Sequence, residues 1–561
     1  IDPSYFTSNS HTYTKPDGRT GITTVPEYPE EDNMDVTDIV NNWLGGDSKI
    51  PNYGFILKWS GSQENSKNHN ENSSEVNTNN QLKIEDQNKE LEKSVMKELG
   101  FGKQLFKLLG RETPIWSLIK EGKQALTILK KIFNINDIKS MNEFYQQQAN
   151  RKLNFNEISG EVDAIISSIK EGKDSALLRY TNELDNNQLS QEDLKLDKNL
   201  LGKSIENISK ELLSSLNYAH DRILAYHKKL KPENLSYTDQ IDVKIEQRWT
   251  PIESVGVYVP GGKAIYPSSV LMNVIPAQVA GVSRIVMVTP SMNGVLNSSI
   301  LAAASICNVE EVYRIGGAQA IAALAYGTDK IDKVDMIVGP GNSYVAAAKK
   351  QVFGDVGIDM VAGPSEVMVV ADADMDLEWV VEDLFAQAEH DDNAQSILVT
   401  KDIDFAKSVL ERINQRLEDL DDGETLKNSW TQYGCIIICD TNEEIIKFIN
   451  ELAPEHLQLC TSDARDLSEQ VKNAGAIFVG KYTPEAAGDY VVGTNHVLPT
   501  MQTARFSSGL SVQTFMKRTS VVECDKSNFN EIAPSAITIA EQEGLTSHAD
   551  SLRARLNRKD D

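Results

Sequence analysis

From about residue 132 the chain alternates short β-branched runs with apolar helical patterns, and this alternation restricts the fold more than any other feature. The runs are SVGVYV, RIVMVT, EVYRIG, DMIVG, EVMVVAD, SILVT, GCIIIC and AIFVG. Between them lie SSVLMNVIPAQVAGV, LAAASICN, AQAIAALAYG, SYVAAAKKQV and DLEWVVEDLFAQAEH. Strands followed by helices in this order build βαβ units, because parallel strands need a long crossover. The expected fold class is therefore α/β, with parallel-sheet domains over 250–372 and 373–500. The segment 132–249 reads as mostly helical, with ISGEVDAIISSIKEGKDSALLRYTNEL its clearest amphipathic stretch. The tail, 501–561, reads as helical, with two helices over 531–556 broken at Gly544.

Two further regions precede this part. Residues 1–59 are rich in Tyr, Pro, Gly, Thr and Asn, with short apolar runs such as YGFILKW, and predict a β-rich leader. Residues 60–91 carry almost no apolar side chains, cannot offset chain entropy by burial, and predict a flexible linker. Leu105, Leu108, Leu109, Ile115, Leu118 and Ile119 then recur at helical spacing before residue 131. A length of 561 residues is consistent with several such units.

Charge and composition exclude some roles. A formal net charge of −26 repels phosphate backbones, so no nucleic acid partner is expected. No stretch approaches the ~20 apolar residues of a membrane helix, so no membrane partner is expected. The opening IDPSYFTSNS has neither the basic nor the apolar part of a secretion signal. The five cysteines, Cys307, Cys435, Cys439, Cys460 and Cys524, form no CxxC pair and read as reduced thiols of a cytoplasmic protein.

Of eight histidines, His11, His69, His220 and His227 have no acidic or glycine-rich framing and read as surface residues. Gln387 and His390 stand three apart on an expected helix, so both could reach one metal, or simply cap the helix end. Asp489 and His496 share the glycine-rich GDYVVGTNHVLPT, read as a shaped polar loop; Asp489 could ligate zinc or cap its own turn. Glu455 and His456 lie in APEHL, read as a helix start. The pair could activate water and carry a proton, or serve only the helix dipole. His548 follows Glu543 in EQEGLTSH and by itself reads as surface. VPGGKAIYPSS, IGGAQAI and VGPGNSY each join a strand to a helix, where backbone N–H groups can approach a phosphate or merely turn the chain. None is GxGxxG. AGPSE is a fourth glycine turn, carrying Ser365.

Together, VPGGKAIYPSSVLMNVIPAQVAGV, GGAQAIAALAYGT, VGPGN, AGPSE, DLFAQAEHD, APEHL, GDYVVGTNHVLPT, ARFSSGLSVQTF and EGLTSH resemble histidinol dehydrogenases in order and spacing, from about Ile132 to Asp561. The resemblance implies two incomplete Rossmann-like domains. It also implies NAD-dependent oxidation of L-histidinol through L-histidinal to L-histidine, the last step of histidine biosynthesis. The implied partner is a second copy of the chain, in a homodimer with shared active sites and a C-terminal tail reaching across. The implied zinc ligands are Gln387, His390, Asp489 and His548. Glu455 and His456 are the implied acid–base pair. Ser365, His496 and Glu543 are implied substrate contacts, together with His456 and the zinc ligands. Tyr258, Gln319 and Asn342 are implied to line the NAD site. A relative oxidising another small alcohol, such as a sulfonated diol, is the alternative reading. Within residues 1–131, DIVNNWLGG and IPNYGFILKWSGSQENS are weakly similar to β-rich bacteriophage structural proteins. That likeness leaves open a binding or virion role in which the dehydrogenase is inert.

Overall fold

All eight β-branched runs become strands, and they sort into two parallel sheets. In this computed structural model the described residues are 131–556, apart from 152–154, 262–264, 292 and 421–422, together with four short strands near the N-terminus. Those strands are β1 (Ser8–Thr14), β2 (Thr20–Pro26), β3 (Met34–Asp35) and β4 (Ile56–Leu57). β1 pairs antiparallel with β2, and β3 with β4. They belong to a unit, Ile1–Thr113, separate from the unit Pro114–Asp561. The linker and amphipathic helices read at 60–131 lie outside the described residues, except Lys131.

The second unit opens with β5 (Ile132–Asn134), followed by α1 (Ile138–Arg151), α2 (Phe155–Leu184), α3 (Lys198–Lys203) and α4 (Lys210–Lys229). Next come β6 (Leu235–Thr238), β7 (Lys244–Pro251), β8 (Ser254–Tyr258), α5 (Pro267–Ala280), β9 (Arg284–Val288) and α6 (Ser298–Ile306). β10 (Glu311–Tyr313), α7 (Gly317–Tyr326), β11 (Met336–Val338), α8 (Ser343–Val352) and β12 (Gly357–Ile358) complete the first layer. Its sheet runs β10-β9-β8-β11-β12, all parallel. The chain starts at the central strand, builds outward on one side, then returns to build the other.

The second layer repeats that path. It comprises β13 (Glu366–Val370), α9 (Leu377–Ala388), β14 (Gln395–Thr400), α10 (Ile403–Asp419), α11 (Glu424–Tyr433) and β15 (Cys435–Ile438). α12 (Asn442–Leu452), β16 (His456–Leu459), α13 (Ala464–Gln470), β17 (Ala476–Val479) and α14 (Glu485–Tyr490) follow. The order is β17-β16-β13-β14-β15-β5, with β5 arriving from far upstream to pair beside β15. β18 (Met516–Glu523), α15 (Lys526–Gln542) and α16 (Thr546–Leu556) end the described chain. β18 joins β7 and β6 in an antiparallel sheet, and Gly544 separates α15 from α16 at φ +74°.

Burial follows pattern. α5 is apolar on nearly every face and is buried almost throughout, between α4 and α6. α10 instead buries one stripe, Phe405, Ala406, Val409, Leu410 and Ile413, and leaves its other face polar. Cys307, Cys435, Cys439 and Cys460 are buried free thiols, and Cys524 is exposed.

Three local expectations are corrected. Glu455–His456 is not a helix start. Pro454 follows the left-handed Ala453 that ends α12, and HLQL then extends as β16, buried between β13 and β17. Asp489 lies on α14 rather than in a loop. His227 is fully buried on α4 rather than at the surface, because its helix face packs beneath Asn495 and α5.

Candidate functional site

The first sheet offers its carboxyl edge. Tyr258 ends β8, and its hydroxyl accepts a hydrogen bond from Gly317 N at 3.1 Å. Gln319, in the first turn of α7, is 1% exposed, and neither amide atom has a protein partner. Asn342 caps α8 by accepting from Val345 N at 3.1 Å. Gly339 holds φ +107° just after β11, where a Cβ would run into the Tyr258 carbonyl oxygen. β8 and β11 flank the point where strand order reverses, the position at which open α/β sheets bind nucleotides. A buried amide without a partner, beside glycine turns that open two helices, fits the polar part of a dinucleotide.

The second sheet gathers its polar groups at the opposite edge, the amino ends of β13 and β16. Glu366 N donates to Glu455 Oε2 at 2.9 Å, and His456 Nδ1 lies 3.0 Å from Glu366 O. His456 Nδ1 is also 3.8 Å from both Glu455 Oε2 and Glu485 Oε1, and its Nε2 is 3.6 Å from Asp489 Oδ1. Gln387 closes α9; its amide nitrogen is assigned to donate to Glu485 Oε1 and Glu366 O, both at 3.1 Å. His390 lies one residue beyond the helix cap and donates its N–H to Gln387 O at 3.2 Å. Ligand atoms of His390, Glu485 and Asp489 lie within 4.8 Å of one another. His496 Nδ1 is 3.0 Å from Asp489 O, which ties the TNH loop to this group. Ser365 is half-buried, with its backbone oxygen held by Gln395 N at 2.9 Å.

This much negative charge in a buried place shifts Glu455, Glu485, His456 and Asp489. Burial pushes Glu455 up to about 8, against the pull of His456 and with the charges of Glu366 and Asp489 adding. Glu485 is pushed up to about 8 by burial, with Asp489, Glu455 and Asp383 adding and His456 opposing. Burial alone would lower His456, but Glu485, Glu455 and Asp489 outweigh it and hold the imidazole well above its ordinary range. Burial would raise Asp489, yet His456, His496 and His390 keep it below the usual carboxylate range. His496 is lowered, chiefly by burial. His456 Nε2 and Glu485 Oε2 are buried without hydrogen-bond partners. The His390 imidazole and the carboxylates of Glu485 and Asp489, with the Gln387 amide beside Glu485, form a nitrogen-and-oxygen donor set of the kind a divalent cation such as zinc takes.

Comparison with known proteins decides the family. The family model for histidinol dehydrogenase matches residues 148–556. A curated histidinol dehydrogenase of Gluconobacter oxydans is 49% identical over 401 residues, covering 72% of this chain and 93% of the relative. One of Mesorhizobium japonicum is 49% identical over 405 residues, covering 72% and 94%. The crystal structure of histidinol dehydrogenase from Elizabethkingia anophelis superposes with a TM-score of 0.68 at 36% identity, over 71% of this chain and 92% of that one. The chain belongs to the histidinol dehydrogenase family.

Not every residue implied by likeness to histidinol dehydrogenases gathers at this centre. Gln387, His390, Asp489, Glu455, His456 and His496 do. His548, near the start of α16, and Glu543, capping α15, are exposed, and the close donor cluster among the described residues does not include them. Sequence reading missed Glu485, although it sits four residues before Asp489, a spacing that puts both on one helix face. Reading the segment as a loop hid that signal. It also missed Gln458, which accepts from Glu485 N at 3.1 Å and donates to Asp383. Asp383 is raised to about 6 by burial.

Proposed function

We propose that this histidinol dehydrogenase family member oxidises L-histidinol in two NAD-linked steps, through the aldehyde, to L-histidine, with Glu455 and His456 moving the protons. The carrying observation is the buried His456 Nε2, which has no hydrogen-bond partner, while Nδ1 faces the Glu366 carbonyl. A carbonyl can only accept, so Nδ1 keeps its hydrogen and Nε2 is the atom that exchanges one.

Zinc, when bound, supplies an anchor for the amine and imidazole nitrogens of the substrate. The nicotinamide accepts the hydrides. Gln387, His390 and Asp489 are the ligands proposed from this chain, and His548 of a second copy completes the set. An exposed His548 that stands outside the donor cluster of His390, Glu485 and Asp489 supports a homodimer with shared sites. Ser365, His496 and Glu543 are proposed to contact the substrate, and Tyr258, Gln319 and Asn342 the cofactor. The division of labour then follows the sheets, with 250–372 on the NAD side, 373–500 on the substrate side and 501–561 reaching the partner.

In the first step His456, neutral once a bound cation offsets the carboxylates beside it, takes the hydroxyl proton at Nε2 as hydride leaves the same carbon. In the second, the ionised form of Glu455, which prevails above about pH 8, removes a proton from water. Its Oε2 is occupied by Glu366 N, which leaves Oε1 for that task. The resulting hydroxide adds to the aldehyde carbon, and the hydrated aldehyde gives up the second hydride to become the carboxylate. Burial of the pair keeps bulk water from competing for the intermediate. No cysteine is required, since four of the five are core thiols and the fifth, Cys524, follows β18. Reduced thiols and a biosynthetic activity fit a cytoplasmic setting.

The test is NADH formation from histidinol, measured beside a panel of other small alcohols, together with metal content. Two NADH per histidinol and bound zinc are expected. No NADH from histidinol, with turnover of another alcohol such as a sulfonated diol, would replace this reading with the alternative.

A further inference from the structure

Arg151 ends α1, lies in none of the motifs quoted above, and is buried with its side chain 2% exposed. Every donor on its guanidinium is used. Nε donates to Asn393 O at 2.8 Å. Nη1 donates to Glu366 Oε1 at 2.6 Å and to Gln395 Oε1 at 3.4 Å. Nη2 donates to Pro364 O at 2.7 Å and Ser365 O at 2.9 Å. Glu366 Oε1 also accepts from Met501 N at 3.0 Å.

These contacts converge on one residue. Glu366 presents its N–H to Glu455 and its C=O to His456 and Gln387. Arg151 grips the same residue by its carboxylate and by the two carbonyls before it. We propose that Arg151 is a positioning residue for the proton-moving pair, holding the AGPSE turn so that the Glu366 peptide aims Glu455 and His456. A cation needed only to neutralise Glu366 would not have to reach three backbone carbonyls. That task needs the planar fork, which a lysine ammonium cannot reproduce. A cavity of about 130 Å³, lined by Tyr145, Gln148, Arg151, Glu366, Leu452 and Met501 among others, lies against the pair. Small solutes can therefore reach the position of the guanidinium.

The inference rests on the proposed roles of Glu455 and His456, so the parent enzyme is assayed first. No NADH from histidinol in the parent defeats that reading, whereas the variants below defeat only this one. Arg151→Ala leaves Glu366 buried and unpaired, and loss of folding is a risk. The double variant Arg151→Ala/Glu366→Gln removes that charge and is the informative protein. The expected result is a folded protein that melts somewhat below the parent for its lost hydrogen bonds, with parental zinc content, a KM for NAD within about twofold of the parent and kcat down by about 10²-fold. Millimolar guanidinium chloride is expected to restore part of kcat in Arg151→Ala, and Arg151→Lys to restore little. A double variant with kcat within about threefold of the parent would overturn the proposal. So would a kcat loss matched by equal loss of zinc and of melting temperature, which marks a structural role alone.

Discussion

The sheet centred on β8 and the sheet centred on β13 follow the same winding, yet they present opposite edges to their candidate ligands. The first uses the carboxyl ends, where glycine turns open helices α7 and α8. The second uses the amino ends of β13 and β16, where a carboxylate and an imidazole sit at strand starts. Each edge is fixed by a buried ion pair, of different kinds. In the first, Lys349 pairs with Asp359 and donates to Gly339 O at 3.0 Å, while Asp359 Oδ2 accepts from Gly339 N at 2.9 Å. In the second, Arg151 spans five acceptors, three on the AGPSE turn and two, on Asn393 and Gln395, at the start of β14. A turn that needs only one peptide held open for a cofactor can be managed by a point charge. On the roles proposed above, the edge that aims Glu455 and His456 needs a fork. On that reading one layer topology serves two jobs through the choice of edge and clamp.

The largest effects belong to the second edge. His456→Asn is expected to lower kcat by about 10²–10⁴-fold with KM for NAD unchanged, since only proton transfer is lost. Steady-state kinetics check it, and an unchanged kcat would remove His456 from the chemistry. His390→Asn is expected to lower zinc content and activity together. Full activity without metal would show that the cluster at His390, Glu485 and Asp489 is not the working metal site.

The first edge should respond in a different parameter. Gly339→Ala puts a side chain at φ +107° and against the Tyr258 carbonyl, so β11 and β8 must separate where the cofactor is proposed to sit. KM for NAD is expected to rise about tenfold, equivalent to a loss of about 1.4 kcal/mol, with kcat at saturating NAD changed far less. A fall in kcat with KM constant would mean that the two edges are not separable.

Much of this comparison is legible in the sequence. Eight β-branched runs mark eight strands because strands buried on both faces need no alternation and show as continuous apolar runs. What escaped was decided by distant partners. β5 and β12 are too short to carry a pattern, β16 breaks its apolar run with His456 and Gln458, and all three extend where a neighbouring strand offers a ladder. β18 has a mostly exposed burial pattern and is held by its pairing with β7. Gln387, His390, Asp489, Glu455 and His456 were identifiable from motif likeness, and the fold brings them together. Glu485 and Arg151 were not, because their importance lies in which buried groups they face.

His227 tests the junction between the layers. It sits on α4 with Nε2 3.4 Å from Asn495 Nδ2, and that amide also donates to Met272 O on α5 at 2.7 Å. Asn495 directly precedes His496, so this buried group underlies the loop of the second edge. Burial lowers the His227 pKa from 6.5 to about 4. The unfolded chain therefore takes up a proton below pH 6.5 that the folded chain refuses until about pH 4. Stability is fully present above pH 6.5 and falls as pH drops toward 4, by up to roughly 1.4 kcal/mol per unit. In His227→Gln the slope of melting temperature against pH across that window is expected to flatten. An unchanged slope would assign acid sensitivity elsewhere.

The smallest effect is expected from the region outside both layers, and where the cut falls decides it. Removing residues 1–113, which form a separate unit, is expected to leave kcat and melting temperature within about twofold and a few degrees of the parent. Removing residues 1–131 should spare kcat, because every proposed site residue lies beyond it, but it takes Lys131. That side chain is 9% exposed in relative terms and donates to Trp430 O at 3.0 Å and Thr431 O at 2.7 Å, while its own carbonyl accepts from Ile436 N at 2.8 Å. The longer truncation therefore loosens the end of α11 and the edge pairing of β5 with β15, the one strand by which the second sheet exceeds the first. Its melting temperature should fall below that of the shorter truncation, read by paired thermal denaturation. Equal melting of the two would mean that β5 holds its place without Lys131. Loss of activity in the shorter one would mean that residues 1–113 contribute to the enzyme after all.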